Sequence, residues 1–315
     1  MISSQSPGMR SPRVLIPFAI VTLIWGSTWI IIRGQLGQVD PSWSVTYRFL
    51  IAGIIMLGYA RLTGQPIGLD RRGHAFAAAF GIAQFVFNFN FVYQAERHVT
   101  SGLVAVVFAL LIVPNAVLGR LFLGNSVSTR FVLGSVVALT GVALLFVQEA
   151  RADPAAISAT VIGVGLTLAG VLCASVANVM QASRRAAALP MASLLGWGMV
   201  WATLVNALLA WAKAGPPTIE LTFPYLAGLA YLSIMASAVA FTLYFGTIRL
   251  IGPAKAAYSS VLIPIIAMTF STIFEGYRWS LLAAGACILV LIGMLIALGS
   301  RRAPRDKADS QPTAN

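Results

Sequence analysis

Charge is what this sequence has least of. Only 10% of its 315 residues are Asp, Glu, Lys or Arg, against about 25% in an ordinary soluble domain. Such a chain cannot solvate a globular surface. Acidic groups number nine, and no Asp falls inside any apolar stretch, which excludes an aspartyl hydrolase working within a membrane. The two histidines, His74 and His98, sit at span ends 24 residues apart, so no metal centre is expected. The two cysteines, Cys173 and Cys287, each lie in the middle of one, away from an oxidising lumen, so packing is expected of them rather than a disulfide. There is no Gly-x-Ser-x-Gly elbow, no His-Glu-x-x-His and no phosphate-cradling glycine loop. Nothing marks an enzyme, a cofactor or a metal, and transport driven by ATP bound to this chain is excluded.

What the chain has is apolar length. Hydrophobic residues make up 58% and the mean hydropathy is +0.86. Uncharged apolar stretches of about 18 residues or more read as membrane spans. Ten emerge, roughly 14–34, 43–62, 75–95, 102–123, 130–148, 160–182, 192–213, 224–246, 256–274 and 280–299. The expected fold class is therefore an all-α membrane protein with ten transmembrane helices. The first stretch exceeds the roughly 7–15 residues of a signal-peptide core and lacks a small-residue cleavage site, so it is read as a retained helix. Residues 1–12 and 300–315 read as cytoplasmic tails, which leaves no room for a soluble domain.

The net charge of +12 is distributed, not clustered. With the N-terminus inside, fifteen of the 21 Lys and Arg fall on the inner side. Five fall outside (Arg33, Arg97, Arg151, Lys213 and Arg278), and Arg48 lies within a span. The positive-inside bias puts both termini in the cytoplasm. Basicity is thus a topology signal and implies no nucleic-acid partner; the partners are the lipid bilayer and a small-molecule solute, with a homodimer admissible.

The spans form two groups of five: a first repeat over 13–148, an outer loop over 149–159, and a second repeat over 160–299. Thr100–Phe146 lays over Gly252–Leu298 at an offset of 152, which matches Gly124 with Gly276 and Gly141 with Gly293. Five spans is an odd number, so the second copy is expected to be inverted. Inverted repeats are typical of secondary transporters, with the solute bound near the midplane where the halves meet.

Polar side chains in hydrocarbon are costly unless paired or facing a wet cavity. On the third span Gln84, Asn88 and Phe91 share a helix face, and on the sixth Ser175, Asn178 and Gln181 do the same. Amides donate and accept, which suits a zwitterionic or polyhydroxyl solute; interhelical bonding is the plainer alternative. Trp25, near mid-span, is a candidate cavity wall, whereas Trp29 reads as packing. At the start of the ninth span, Lys255 could meet an anionic group or anchor in the headgroups, and Tyr258 and Ser259 are candidates for the cavity face. Arg48 reads as a gate or a structural pairing with Glu96 or Asp40. Glu96 and Glu275 sit at outer helix ends, too shallow for a proton relay, so the coupling mode stays open. Pro114 and Pro264 interrupt spans four and nine as hinges or tolerated kinks. Gly134 with Ala138, and Gly285 and Gly293, read as packing surfaces.

Several motifs together resemble a known family. Trp25-Gly26-Ser27-Thr28-Trp29 followed by Arg33, Pro41 followed by Arg48-Phe49-Leu50 and Ala52, Ser101-Gly102-Leu103-Val104-Ala105 followed by Phe108-Ala109-Leu110, and Phe274-Glu275-Gly276-Tyr277-Arg278-Trp279 are similar in order and spacing to the EamA branch of the drug/metabolite transporter superfamily. The resemblance spans 14–299. It departs in carrying Pro114 where the family proline falls at Ile112, and Asn125 in place of the usual acid. It implies an inner-membrane carrier in which helices 1–4 and 6–9 surround a cavity while 5 and 10 pack behind. Members export amino acids, metabolites or toxic compounds; some relatives import or exchange sugars or sugar phosphates. The expected function is thus a secondary transporter exporting a small metabolite such as an amino acid. The alternatives are an importer or exchanger of a sugar-like or anionic metabolite, and a drug efflux carrier. A channel would need a charged ring or a filter that the sequence lacks.

Overall fold

A computed structural model describes residues 11–124, 126–152, 155, 157–251 and 259–299. Among these residues there is no strand. We label the long helices α1 (Pro12–Arg33), α2 (Pro41–Leu62), α3 (Arg71–Ala95), α4 (Ser101–Leu123), α5 (Thr129–Ala152), α6 (Ile157–Gln181), α7 (Met191–Ala214), α8 (Phe223–Thr247), α9 (Ser259–Phe274) and α10 (Leu281–Gly299). The first eight contain stretches long and apolar enough to cross a membrane, and α9 and α10 carry shorter apolar stretches. Helix is the form the composition demands, because in hydrocarbon each backbone donor needs a partner within its own segment.

Helix ends are set by local chemistry. Asp40 accepts from the Ser42 N–H at 2.8 Å, with Pro41 in the first turn, and Asp70 accepts from the Gly73 N–H at 2.7 Å; both are N-caps. Gly64, Gly124, Gly215 and Gly276 have φ of 69°, 70°, 76° and 67°, following α2, α4, α7 and α9. These left-handed stops need glycine, and each half of the chain has them in the same two places.

The pairing of helices also repeats. α2 packs on α7 and α5 on α10; α1 packs on α8 and α9, as α6 does on α3 and α4. Both equivalent pairs run antiparallel. The start of α2 meets the end of α7 through Trp43 Nε1–H to the Gly215 carbonyl (3.3 Å), and the start of α7 meets the loop after α2 through Ser193 Oγ–H to the Pro66 carbonyl (2.5 Å). Between α5 and α10, a Cβ on Gly134 would lie 2.5 Å from the Gly293 carbonyl oxygen, and one on Gly141 2.7 Å from that of Ala286. At the offset of 152 these two contacts are one contact seen from each side. Gly285 departs from the packing expected of it: a Cβ there would meet open space.

Two cores result. One joins α1–α3 and α6–α8 around Phe49, Phe85, Tyr93 and Met199; the other joins α4, α5, α9 and α10 around Leu103, Leu145, Val290 and Met294. Cys287 belongs to the second and Cys173 is half-buried. Ile54, Leu121, Leu172, Leu208 and Ile273 point outward, an apolar exterior suited to lipid.

Candidate functional site

Between the two cores lies a cavity of about 140 Å³. α1 lines it with Trp25, Thr28, Trp29 and Ile32, α2 with Arg48, α3 with Gln84, Asn88, Phe89 and Val92, and α8 with Phe241, Tyr244 and Phe245. α4 adds Phe108 and Leu111, α6 Ala174 and Asn178, and α9 Ile263 and Pro264. α5, α7 and α10 contribute nothing to the wall. Seven of the eight helices that the family resemblance implied are there, and α7 is the one missing.

Two irregular segments shape this wall. Ile82–Phe87 in α3 and Ile234–Val239 in α8 are π-helical, at positions 152 residues apart, the offset of the sequence repeat. A π segment widens the turn and frees carbonyls from the regular ladder, and such segments gather at functional sites. Here side chains take up the slack. Trp25 Nε1–H donates to the Ala236 carbonyl (3.2 Å), Ser237 Oγ–H to Leu232 (2.8 Å), Asn206 Nδ2–H to Phe85 (3.1 Å) and Asn90 Nδ2–H to Val86 (2.8 Å). Asn90 also bonds the Asn206 Oδ1 at 2.7 Å. Gln84 lies inside the α3 segment and Asn88 directly follows it.

The structure thus brings Trp25, Gln84, Asn88 and Asn178 to one space. Asn88 is buried with its Oδ1 unpartnered, whereas Asn178 donates to Asn115 Oδ1 at 3.4 Å. The stripes predicted with them break up. Phe91 stacks on exposed Phe87 at 6.3 Å, and Ser175 and Gln181 lie off the wall. Trp29, read as packing, lines the cavity against Phe108 at 5.3 Å. The sequence reading missed Thr28, Phe89 and the α8 aromatics. Phe241, Tyr244 and Phe245, spaced three and four apart on one helix face, were the available signal. Pro264 is in the wall. Pro114 is outside it, just past a 3₁₀ turn at Ala109–Leu111, where its missing N–H leaves the Leu110 carbonyl without an i+4 donor. Lys255 and Tyr258 lie outside the described residues; Ser259 opens α9.

Arg48 sits in the wall and not at a helix-end ion pair. It is 1% exposed. Its Nε–H donates to Ser237 Oγ at 3.0 Å, and its guanidinium lies 4.4 Å from the Phe89 ring centre and 5.3 Å from that of Phe49. Neither expected partner pairs with it. Asp40 caps α2, and Glu96 forms no ion pair within 4.0 Å.

One end of the cavity, beside Ile32 and Val92, is roofed by a polar cluster. Arg33 Nε stands 3.7 Å from Glu275, and its Nη1–H donates to the Glu96 carbonyl. Glu275 accepts from the Ser101 hydroxyl (2.6 Å) and backbone N–H (3.2 Å). The cluster ties together the ends of α1, α3 and α9 and the start of α4. The Glu96 carboxylate is fully buried with both oxygens unpartnered. Burial pushes its pKa well above the usual carboxylate range; Glu275 adds to this, while Arg33 and Arg48 oppose it.

The family model described as the EamA-like transporter family matches residues 13–147 and again 161–299. The chain belongs to that family. Among similar proteins, the uncharacterized inner membrane transporter YedA of Escherichia coli is 28% identical over 286 residues, covering 88% of each chain. Protein PagO of Salmonella typhimurium is 22% identical over 296 residues, covering 94% of this chain and 96% of its own. A solved crystal structure superposes with TM-score 0.66 at 20% identity, covering 90% of this chain and 95% of that one, a likeness of fold. With its long apolar helices, this EamA-like chain is a multi-pass inner-membrane transporter and not an enzyme.

Proposed function

We propose that the protein exports a small metabolite of amino-acid type by alternating access, the solute resting in the cavity between α1, α3, α6 and α8. The carrying observation is the pair of π segments in equivalent positions of the two halves, each supplying or holding a polar wall residue. The two halves are inverted repeats with both termini cytoplasmic, as the antiparallel α2–α7 and α5–α10 pairs and the positive-inside charge distribution support. The Arg33–Glu275 cluster is then at the outer end and acts as that side's gate. About 140 Å³ is below the roughly 300–1,000 Å³ of sites for drug-sized ligands, which favours a compact metabolite over a drug.

The test is counterflow in proteoliposomes with labelled amino acids, sugars, organic acids and cationic drugs. Transient uphill accumulation of an amino acid or other small metabolite against its unlabelled internal form is expected, and Trp25→Ala and Asn88→Ala should lower it with normal insertion. Counterflow of cationic drugs alone would overturn the metabolite reading. Unchanged flux in both variants would remove the cavity assignment.

A further inference from the structure

Among the described residues the cavity wall holds one formal charge, and no carboxylate on the wall balances it. Among the lining residues Arg48 is the only ionisable group that is charged at neutral pH; no Asp or Glu is among them. Its guanidinium has five N–H donors in a planar fork. One is used on Ser237; the Nη1 nitrogen, buried, has no acceptor. Its other neighbours are two phenyl faces and the Tyr93 hydroxyl, and Glu96 acts on it electrostatically without an ion pair within 4.0 Å. A buried guanidinium with no ion-paired carboxylate is costly, and Glu96 offsets that cost only from beyond ion-pair distance, so a closer partner is to be sought among what enters the cavity.

We infer that the solute carries a carboxylate, which Arg48 binds through its free guanidinium edge. This rests on the transporter reading above and narrows it. The fork of the guanidinium matches the two oxygens of a carboxylate. Asn88 offers an unpartnered carbonyl oxygen to an amine or hydroxyl on the same solute. Trp25, Phe241 and Tyr244, with ring centres 5.4 and 4.9 Å from Trp25, provide an aromatic surface for its apolar part. The site therefore selects small carboxylic acids with an apolar or aromatic side group, amino acids included, over sugars and cations. The hydrogen bond to Ser237 fixes the guanidinium in this pose, so the π segment of α8 sets the recognition geometry.

The experiment measures ligand-induced thermal stabilisation of the purified full chain in detergent, with counterflow run alongside. The probes are phenylalanine, leucine, phenylacetate and benzoate, each paired with its primary amide, plus glucose, glucose 6-phosphate and inorganic phosphate. The expected result is apparent affinity for at least one carboxylate roughly 10- to 100-fold above that for its amide, the range for one hydrogen bond to a charged group. Arg48→Met should remove that preference and leave amide binding in place, and Arg48→Lys should keep part of it. A merely structural Arg48 would lower both members of a pair alike, and that result overturns the inference. So does equal binding of acid and amide by the unaltered protein, which decides the matter even if both variants misfold. Stabilisation only by the phosphates would also overturn it. Counterflow of sugars without carboxylates would sink the inference and spare the reading of a small-metabolite transporter. Carboxylate binding that depends on Arg48 without counterflow of any probe would do the reverse.

Discussion

Asn90 and Asn206 show what a buried amide does in the wall between α3 and α7. They bond each other, and each also takes a carbonyl freed by the π segment of α3. A typical hydrogen bond between membrane helices is worth only about 0.6 kcal/mol. Leaving a buried polar group unmade costs about 1–3 kcal/mol. Asn206→Leu strands both the Phe85 carbonyl and one Asn90 donor contact, so the second figure governs and a loss of about 1–2 kcal/mol is expected. A fall in melting temperature in detergent checks this. Asn178→Ala, which breaks only a 3.4 Å contact to Asn115, should shift the melt much less; equal shifts would mean that the π carbonyls need no cap. Residues of this kind are only partly legible in sequence. The rarity of polar groups in spans flagged Gln84, Asn88 and Asn178, all three of which line the cavity. Charge alone said nothing of where Arg48 pairs, because its partner Ser237 lies 189 positions away on a helix whose register no local pattern reveals.

At the level of elements, helix-period reasoning fails where the helix is not α. The spacing that put Phe91 with Gln84 and Asn88 assumes 3.6 residues per turn, and α3 departs from that over Ile82–Phe87. Nothing in those six residues, all without Gly or Pro, announces the wider turn. The roof cluster is an element-scale device too, since it joins four helix ends. Its buried Glu96 gives it a pH dependence with a definite sign. The Glu96 pKa is raised in the folded state, mainly by burial and then by Glu275, against Arg33 and Arg48. The folded state therefore holds its proton at pH values where an exposed carboxylate, with pKa about 4.3, has lost it. Its stability is full below that ordinary value and declines as pH rises toward the raised one. Melting temperature should fall over that window in the unaltered protein. Glu96→Gln, which mimics the protonated acid, should flatten the decline, and a profile identical to the parent would show that Glu96 is not the titrating group. Arg33→Gln removes a cation that favours the ionised acid, so it should steepen the decline.

At the scale of the whole molecule the all-helical, multi-span character was the most legible feature, because it rests on composition summed over long segments. Ten apolar stretches and an offset of 152 needed no side-chain detail, and the left-handed glycines and π segments recur at or within one residue of that offset. What hydropathy cannot show is which faces of the two copies meet. That is decided by close approaches such as Gly134 with Gly293, where single small residues admit a neighbouring backbone. The antiparallel pairing of α2 with α7 has a consequence for sidedness. If the repeats are inverted, equivalent loops must lie on opposite faces of the membrane; if they are parallel, on the same face. Single cysteines at Gln38 and Ala188, in the loops after α1 and α6, and at Thr63 and Thr218, after α2 and α7, separate these cases once Cys173 and Cys287 are replaced by alanine. All four positions are exposed. In intact cells a membrane-impermeant thiol reagent should label Gln38→Cys and Thr218→Cys, and reach Ala188→Cys and Thr63→Cys only after permeabilisation. Labelling of 38 and 188 from the same side would overturn the inverted arrangement. It would also undo the assignment of the Arg33–Glu275 cluster as the outer gate, since that assignment depends on the same positive-inside frame.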